Sequence, residues 1–264
     1  MPPIRYLQVD SFTSRPFSGN PAAVCLLEHE ADAKWMQSVG AEMNLAETAF
    51  VWPKEDNFGL RWFTPILEVD LCGHATLAAA RAMWEVDVAD SGQPITFETK
   101  SGKLTATSAG EWIELDFPAT PPEAIESNRV LADSLGVPLS YVGRTRFDYL
   151  VLVSSEQELR AISPDFAALR TLGTRGVIVT SPSADREFDF VSRFFAPGAG
   201  IDEDPVTGSA HCALAPFWRE RTGKSEMVAY QASSRGGVVR TRLAGDRVIL
   251  GGQAVIVWTG QLCC

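Results

Sequence analysis

No apolar run in this 264-residue chain approaches the length of a membrane span, so no helical anchor is expected. Positive charge is scarce. The chain carries 23 Lys and Arg against 33 Asp and Glu, a net charge of −10. Nucleic acid and anionic membranes need a basic surface, so neither is expected as a partner. The five cysteines, Cys25, Cys72, Cys212, Cys263 and Cys264, are odd in number, scattered and without a C-x-x-C pair. That pattern is no disulfide framework and leads us to expect a reducing cytoplasm. The opening MPPIRYLQVD lacks the form of a signal peptide. The phosphate-cradling pattern G-x-x-x-x-G-K-S/T and the nucleophile elbow G-x-S-x-G are also missing, which argues against a nucleotide polyphosphate and against a serine hydrolase.

What is present is an ordinary core composition, 45% hydrophobic and 21% charged, and two stretches that resemble each other. Phe63 to Trp84 reads FTPILEVDLCGHATLAAARAMW, and Phe195 to Trp218 reads FFAPGAGIDEDPVTGSAHCALAPFW from Phe194 on. Each begins Phe-x-Pro, passes an acid, reaches a small-residue turn containing Gly, and enters an Ala/Leu-rich run. The turns are Cys72-Gly73-His74-Ala75 and Thr207-Gly208-Ser209-Ala210. A Gly turn that feeds a helix leaves backbone N–H groups unpaired, with the positive end of the helix dipole behind them. Such a turn takes a small anion, either a carboxylate or an enolate-like transition state. The bland alternative is two plainly capped helices.

The rest of the chain fits a duplication. Strands are expected over Tyr6–Phe12, Ala22–Leu27, Glu47–Trp52 and Phe58–Phe63, with a helix over 31–43 and the first-turn helix after them. Thr96–Thr107 and Trp112–Phe117 read as a hairpin pair. PATPPEAIESN, residues 118–128, is Pro-rich and polar and reads as a linker. Beyond it the cycle restarts: a strand over Tyr149–Val153, a helix over 156–172 with a restart at Ser163-Pro164, and strands over Gly176–Thr180 and Phe188–Phe195. Arg193-Phe194-Phe195 echoes Arg61-Trp62-Phe63. The second-turn helix is expected to break at Pro216, and strands over Tyr230–Thr241 and Arg247–Trp258 close the chain. The economical reading is a tandem repeat of roughly 130 residues. It divides into a first half over 1–117, a linker over 118–128 and a second half over 129–264. Each half is α+β, with strands wrapped around one main helix and the site expected in the cleft between the halves.

Several side chains stand where chemistry could use them. Glu47 opens an apolar strand directly after a helix end; it is either a desolvated carboxylate fit for proton transfer or an exposed strand-start Glu. His74 follows Gly73 and is either a neutral donor and proton shuttle at a helix N-terminus or a packing histidine. Asp204 could orient His74 or bind an amine, and Ser209 with the Gly208 amide could hold a carboxylate; the plain alternative for both is loop closure and capping. Asp202 and Glu203 read as solvated. Cys72, at a helix N-terminus, is expected to have a lowered pKa and could serve as base or nucleophile. The spacing of Cys72, His74, His211 and Cys212 is not that of a structural zinc module, and no metal is expected.

Four blocks, Gly19-Asn20-Pro21-Ala22-Ala23-Val24, Asn44-Leu45-Ala46-Glu47-Thr48-Ala49-Phe50, Glu68 to Thr76 around Cys72-Gly73-His74, and Glu203 to His211 around Gly208-Ser209, together resemble the PhzF-type phenazine-biosynthesis-like family. The resemblance implies the diaminopimelate epimerase-like fold: two similar halves, each a curled, mostly antiparallel sheet around a central helix, with the active site between them, usually in a homodimer. It also implies catalysis without cofactor or metal. The family's proton-moving glutamate matches Glu47. Its substrate-holding groups match His74, Asp204 and Ser209, its anion-binding turns match Gly73 and Gly208, and Asn20 resembles a substrate-side residue.

Related racemases and epimerases oppose two cysteines, one at each turn. Cys72 holds the first of these positions, but Thr207 holds the second, and a Thr hydroxyl is a poor base near neutral pH. The expected function is therefore a cytoplasmic, cofactor-independent isomerase that moves a proton on a small, amino-acid-like carboxylate. The alternatives are a racemase or dehydratase using Cys72 as base, and a non-catalytic protein that binds a small acid.

Overall fold

The computed structural model describes residues 3–126 and 128–263. They form two compact units. The first takes the chain through Phe117 and again from Leu250 on, and the second runs from Pro118 to Ile249.

In the first unit, strand Ile4–Ser11 pairs antiparallel with Asn20–Leu26, which pairs parallel with Glu47–Lys54. Glu47–Lys54 then pairs antiparallel with Asn57–Phe63, which runs parallel to Ile95–Thr99, itself antiparallel to Gly102–Ala109. The second unit repeats this sequence of pairings. Tyr141–Arg144, Asp148–Leu152, Gly176–Pro182, Phe190–Ala196, Glu226–Gln231 and Gly237–Ala244 pair antiparallel, parallel, antiparallel, parallel and antiparallel in turn. Parallel neighbours need a crossover, and in each unit the second crossover carries the central helix, Gly73–Glu85 or Gly208–Thr222. Each unit is thus a curled, mostly antiparallel sheet around one helix. The first helix can be enclosed because Ala75, Ala78, Ala79, Ala80 and Ala82 are all fully buried, so backbone approaches it from several sides.

The second unit shows how alternation divides a core. Leu150, Ile178, Phe190 and Phe194 face Ala210, Ala213, Leu214 and Phe217 of the central helix. Their chain neighbours Val151, Val177, Val179, Val191 and Phe195 face the other way, onto Leu131, Leu159 and Leu169 of the flanking short helices. Both faces are covered, which is why these strands read as unbroken apolar runs.

Four expectations are corrected. The chain from Leu250 on belongs to the first unit rather than to a half over 129–264, because strand Ala254–Leu262 pairs with Ile4–Ser11 along its whole length. The linker expected over 118–128, of which residue 127 lies outside the described residues, is not a loose tether: Glu123–Ala124 pairs as a strand with Gly143 and Arg144, and the Ile125 amide donates to the Val142 carbonyl. The second central helix runs straight through Pro216. Proline there cannot donate to the Cys212 carbonyl four residues back, and the Thr120 amide donates to that carbonyl instead, at 3.0 Å. The helix over 156–172 is two short ones, Glu156–Ala161 and Phe166–Arg170, the second capped by Asp165 and not Ser163. No helix among the described residues is long and apolar enough to cross a membrane.

Candidate active site

Glu47 is placed by the element before it. Helix Ala33–Met43 ends on Asn44 in the left-handed conformation, φ 50°, ψ 34°, and the chain turns at once into strand Glu47–Lys54. Parallel register sets Ala22 beside Glu47, which brings Asn20, two residues earlier on the same side of its strand, to the same edge. The central helix starts at Gly73 with Cys72 as its N-cap residue, and no side chain caps it. Thr76 Oγ1 instead donates to the Cys72 carbonyl at 2.5 Å, and Ser11 Oγ donates to the His74 carbonyl at 2.8 Å. These bonds pin the turn at the positive end of the helix dipole, where an anion is favoured.

The three elements bring together Glu47, His74, Cys72 and Asn20. Glu47 Oε2 lies 3.1 Å from His74 Nε2, an ion-pair distance. On the other ring edge, His74 Nδ1 is 3.2 Å from Asn20 Nδ2 and 3.5 Å from Cys72 Sγ. Glu47 is therefore no exposed strand-start residue: its side chain is only 13% exposed.

The surroundings reverse two expectations about charge. Cys72 was expected to have a lowered pKa; burial, reinforced by the Glu47 carboxylate, raises it. His74 was expected to be held neutral. Burial does push its pKa down, but Cys72 and Glu47 outweigh burial and hold it well above the ordinary histidine value.

The second turn is built on the same plan with different side chains. Thr207 precedes Gly208, and again no side chain caps the helix. His211 Nδ1 donates to the Thr207 carbonyl at 2.8 Å, as Thr76 does to that of Cys72. The Thr207 hydroxyl, free of capping, donates to Asp204 Oδ2. Gln231 closes this corner: its Nε2 donates to the Asp204 carbonyl at 2.8 Å and its Oε1 accepts from the Thr207 amide at 2.9 Å. Asp204, expected to orient His74, is engaged within its own unit. Ser209 Oγ accepts from Arg175 Nη1 at 3.0 Å. Arg175 in turn forks onto Asp148, Nε to Oδ1 at 2.9 Å and Nη2 to Oδ2, and Phe147 and Phe194 flank its guanidinium. Glu203, expected to be solvated, is half-buried and forks onto Arg193, as Glu68 does onto Arg61.

Asp148, Arg175 and Gln231 escaped the sequence reading. A signal existed for Asp148: it is a lone acid opening the apolar strand Asp148–Leu152, the argument that singled out Glu47.

Residues 9–260 match the model of the phenazine biosynthesis-like protein family. The chain belongs to that family. An uncharacterized isomerase of Halalkalibacterium halodurans is 56% identical over 256 residues, 96% of each chain. A solved PhzF-family protein of Enterococcus faecalis is 39% identical and superposes with a TM-score of 0.95 over 99% of this chain and 100% of its own. A probable proline racemase from Agrobacterium radiobacter, 14% identical, covers 98% of this chain and 93% of its own at a TM-score of 0.67 and shares the fold. Within the phenazine biosynthesis-like family, then, the chain presents a carboxylate–imidazole pair at its first turn and a hydroxyl held by an arginine at its second.

Proposed function

We propose that this isomerase moves a proton between carbons of a small carboxylate-bearing substrate, with Glu47 as the acid/base group. The observation that carries the reading is the Glu47 carboxylate 3.1 Å from His74 Nε2, at a helix start that no side chain caps. Glu47 takes a proton from a carbon made acidic by an adjacent carboxylate or diene. The anion that forms is stabilised by the amides around Gly73 and by the His74 charge, which Glu47 no longer neutralises once it is protonated. Glu47 then returns the proton to another carbon. Asn20 and His74 position the substrate. Asp204, Gly208 and Ser209 enter as substrate-holding groups on the family resemblance. The reaction as written needs no cofactor and no metal.

The thiol alternative is weakened by Cys72 itself, which burial keeps protonated, and by Thr207 at the position of a second base. The test is deuterium wash-in. The protein is incubated in heavy water with pools of amino acids, hydroxyprolines and cyclic dienyl amino acids, and mass shifts are read beside Glu47→Gln and Cys72→Ser. The proposal expects exchange that Glu47→Gln removes and Cys72→Ser retains. Exchange removed by Cys72→Ser alone means a thiol enzyme, and a tightly held small acid that never exchanges means a binding protein.

A further inference from the structure

The two units repeat one arrangement with different side chains. In the first, Asn20 opens strand Asn20–Leu26 and Glu47 opens the strand that runs parallel to it. Both reach His74, the second residue of helix Gly73–Glu85, at 3.2 and 3.1 Å. In the second, Asp148 opens strand Asp148–Leu152, and Arg175 stands immediately before Gly176, which opens the parallel neighbour. Arg175 reaches Ser209, the second residue of helix Gly208–Thr222, with Nη1 3.0 Å from its Oγ, and Asp148 reaches Arg175. The place that holds a carboxylate and an imidazole in one unit holds a guanidinium and a hydroxyl in the other.

The guanidinium has little freedom. Asp148 is buried, and its carboxylate takes the fork from Nε and Nη2 and a further hydrogen bond from the Gly176 amide. Phe147 and Phe194 flank the group, and a Cβ on Gly176 would meet the Phe194 ring at 2.5 Å, so the chain beside Arg175 sits hard against that ring. A buried ion pair adds little stability over apolar groups of the same volume, because both charges lose water. Its use here lies in the third nitrogen, Nη1. The Ser209 hydroxyl has one proton. Because its oxygen accepts from Arg175, that proton points away from the guanidinium, and the adjacent charge strengthens it as a donor.

We propose that Arg175, fixed by Asp148, is a positioning residue that presents the Ser209 hydroxyl as a hydrogen-bond donor to the substrate's carboxylate. This role rests on the reading of Ser209 as a substrate-holding group. Arg175 acts through Ser209 and exchanges no proton with the substrate.

Two measurements test it, and the first needs no substrate. Ser209→Cys, in a Cys263→Ser/Cys264→Ser background, places a thiol at position 209. The pH dependence of its alkylation by iodoacetamide, read by peptide mass, gives its pKa. A helix start beside a guanidinium should hold that pKa below the ordinary value of about 8.5, and Arg175→Gln should raise it by at least about one unit. The second measures solvent-deuterium exchange against concentration for the pool carboxylate that exchanges. Ser209→Ala and Arg175→Gln should each raise the half-saturating concentration at least about tenfold, with a smaller effect on the rate at saturation. The double variant should be no worse than the poorer single one. Arg175→Gln/Asp148→Asn strands no charge and should show the same rise, which guards against misfolding of the single variant. An alkylation profile that Arg175→Gln leaves unchanged overturns the role, whether or not any pool exchanges. Losses that add in the double variant overturn it too, as does Ser209→Ala without effect. Exchange that survives Glu47→Gln instead removes the base and leaves the effect of Arg175 on half-saturation standing.

Discussion

Glu47 and His74 show how far residue type alone can be trusted. Their positions, an acid opening an apolar strand and a histidine after a turn glycine, were legible because both depend on local pattern. The upward shifts of His74 and Cys72 were not, because burial and the mutual distance of Glu47, Cys72 and His74 are tertiary facts. The same holds for Arg175, whose partners Asp148 and Ser209 lie 27 and 34 residues away. Replacing Glu47 by Gln keeps the shape and removes the base; exchange should fall by at least about a hundredfold. Asp148→Asn leaves the Arg175 charge half-buried without its fork, and should cost about 2 kcal/mol in urea unfolding. His211 supplies a pH test. Its ring is fully buried and its pKa lies at about 4 against an ordinary 6.5. Protons therefore bind the unfolded chain first as the pH falls below 6.5. Stability from this residue is complete above that pH, declines between 6.5 and about 4, and levels off below. The ceiling is about 3 kcal/mol. His211→Thr, which copies the Thr76 arrangement, should flatten that part of the pH–stability curve relative to wild type.

At the scale of elements, the repeat was visible because both halves write the same apolar alternation and the same Gly turn. Pro216 misled because propensity is local and the remedy is not: the Thr120 amide supplies the hydrogen bond that proline removes. Thr120→Pro should strand the Cys212 carbonyl and cost roughly 2 kcal/mol. Pro216→Ala in the same chain restores a donor and should recover most of that loss, which a double-mutant cycle in urea reads directly.

For the whole molecule, composition bounded the answer and the turns organised it, but strand partnership over long separation was not legible. Nothing in the residues of strand Ala254–Leu262 says that it returns to Ile4–Ser11. A chain ended at Gln253 loses that strand's full ladder, and its first unit should be cleaved by limited proteolysis far faster than its second. The family resemblance adds a homodimer as a proposal, which sedimentation velocity tests.

The central claim is that a single carboxylate does the proton transfer. Deuterium wash-in with Glu47→Gln beside wild type tests it most directly. The account predicts solvent deuterium entering a small carboxylate substrate with the wild type and not with the variant. Undiminished exchange in Glu47→Gln would contradict it.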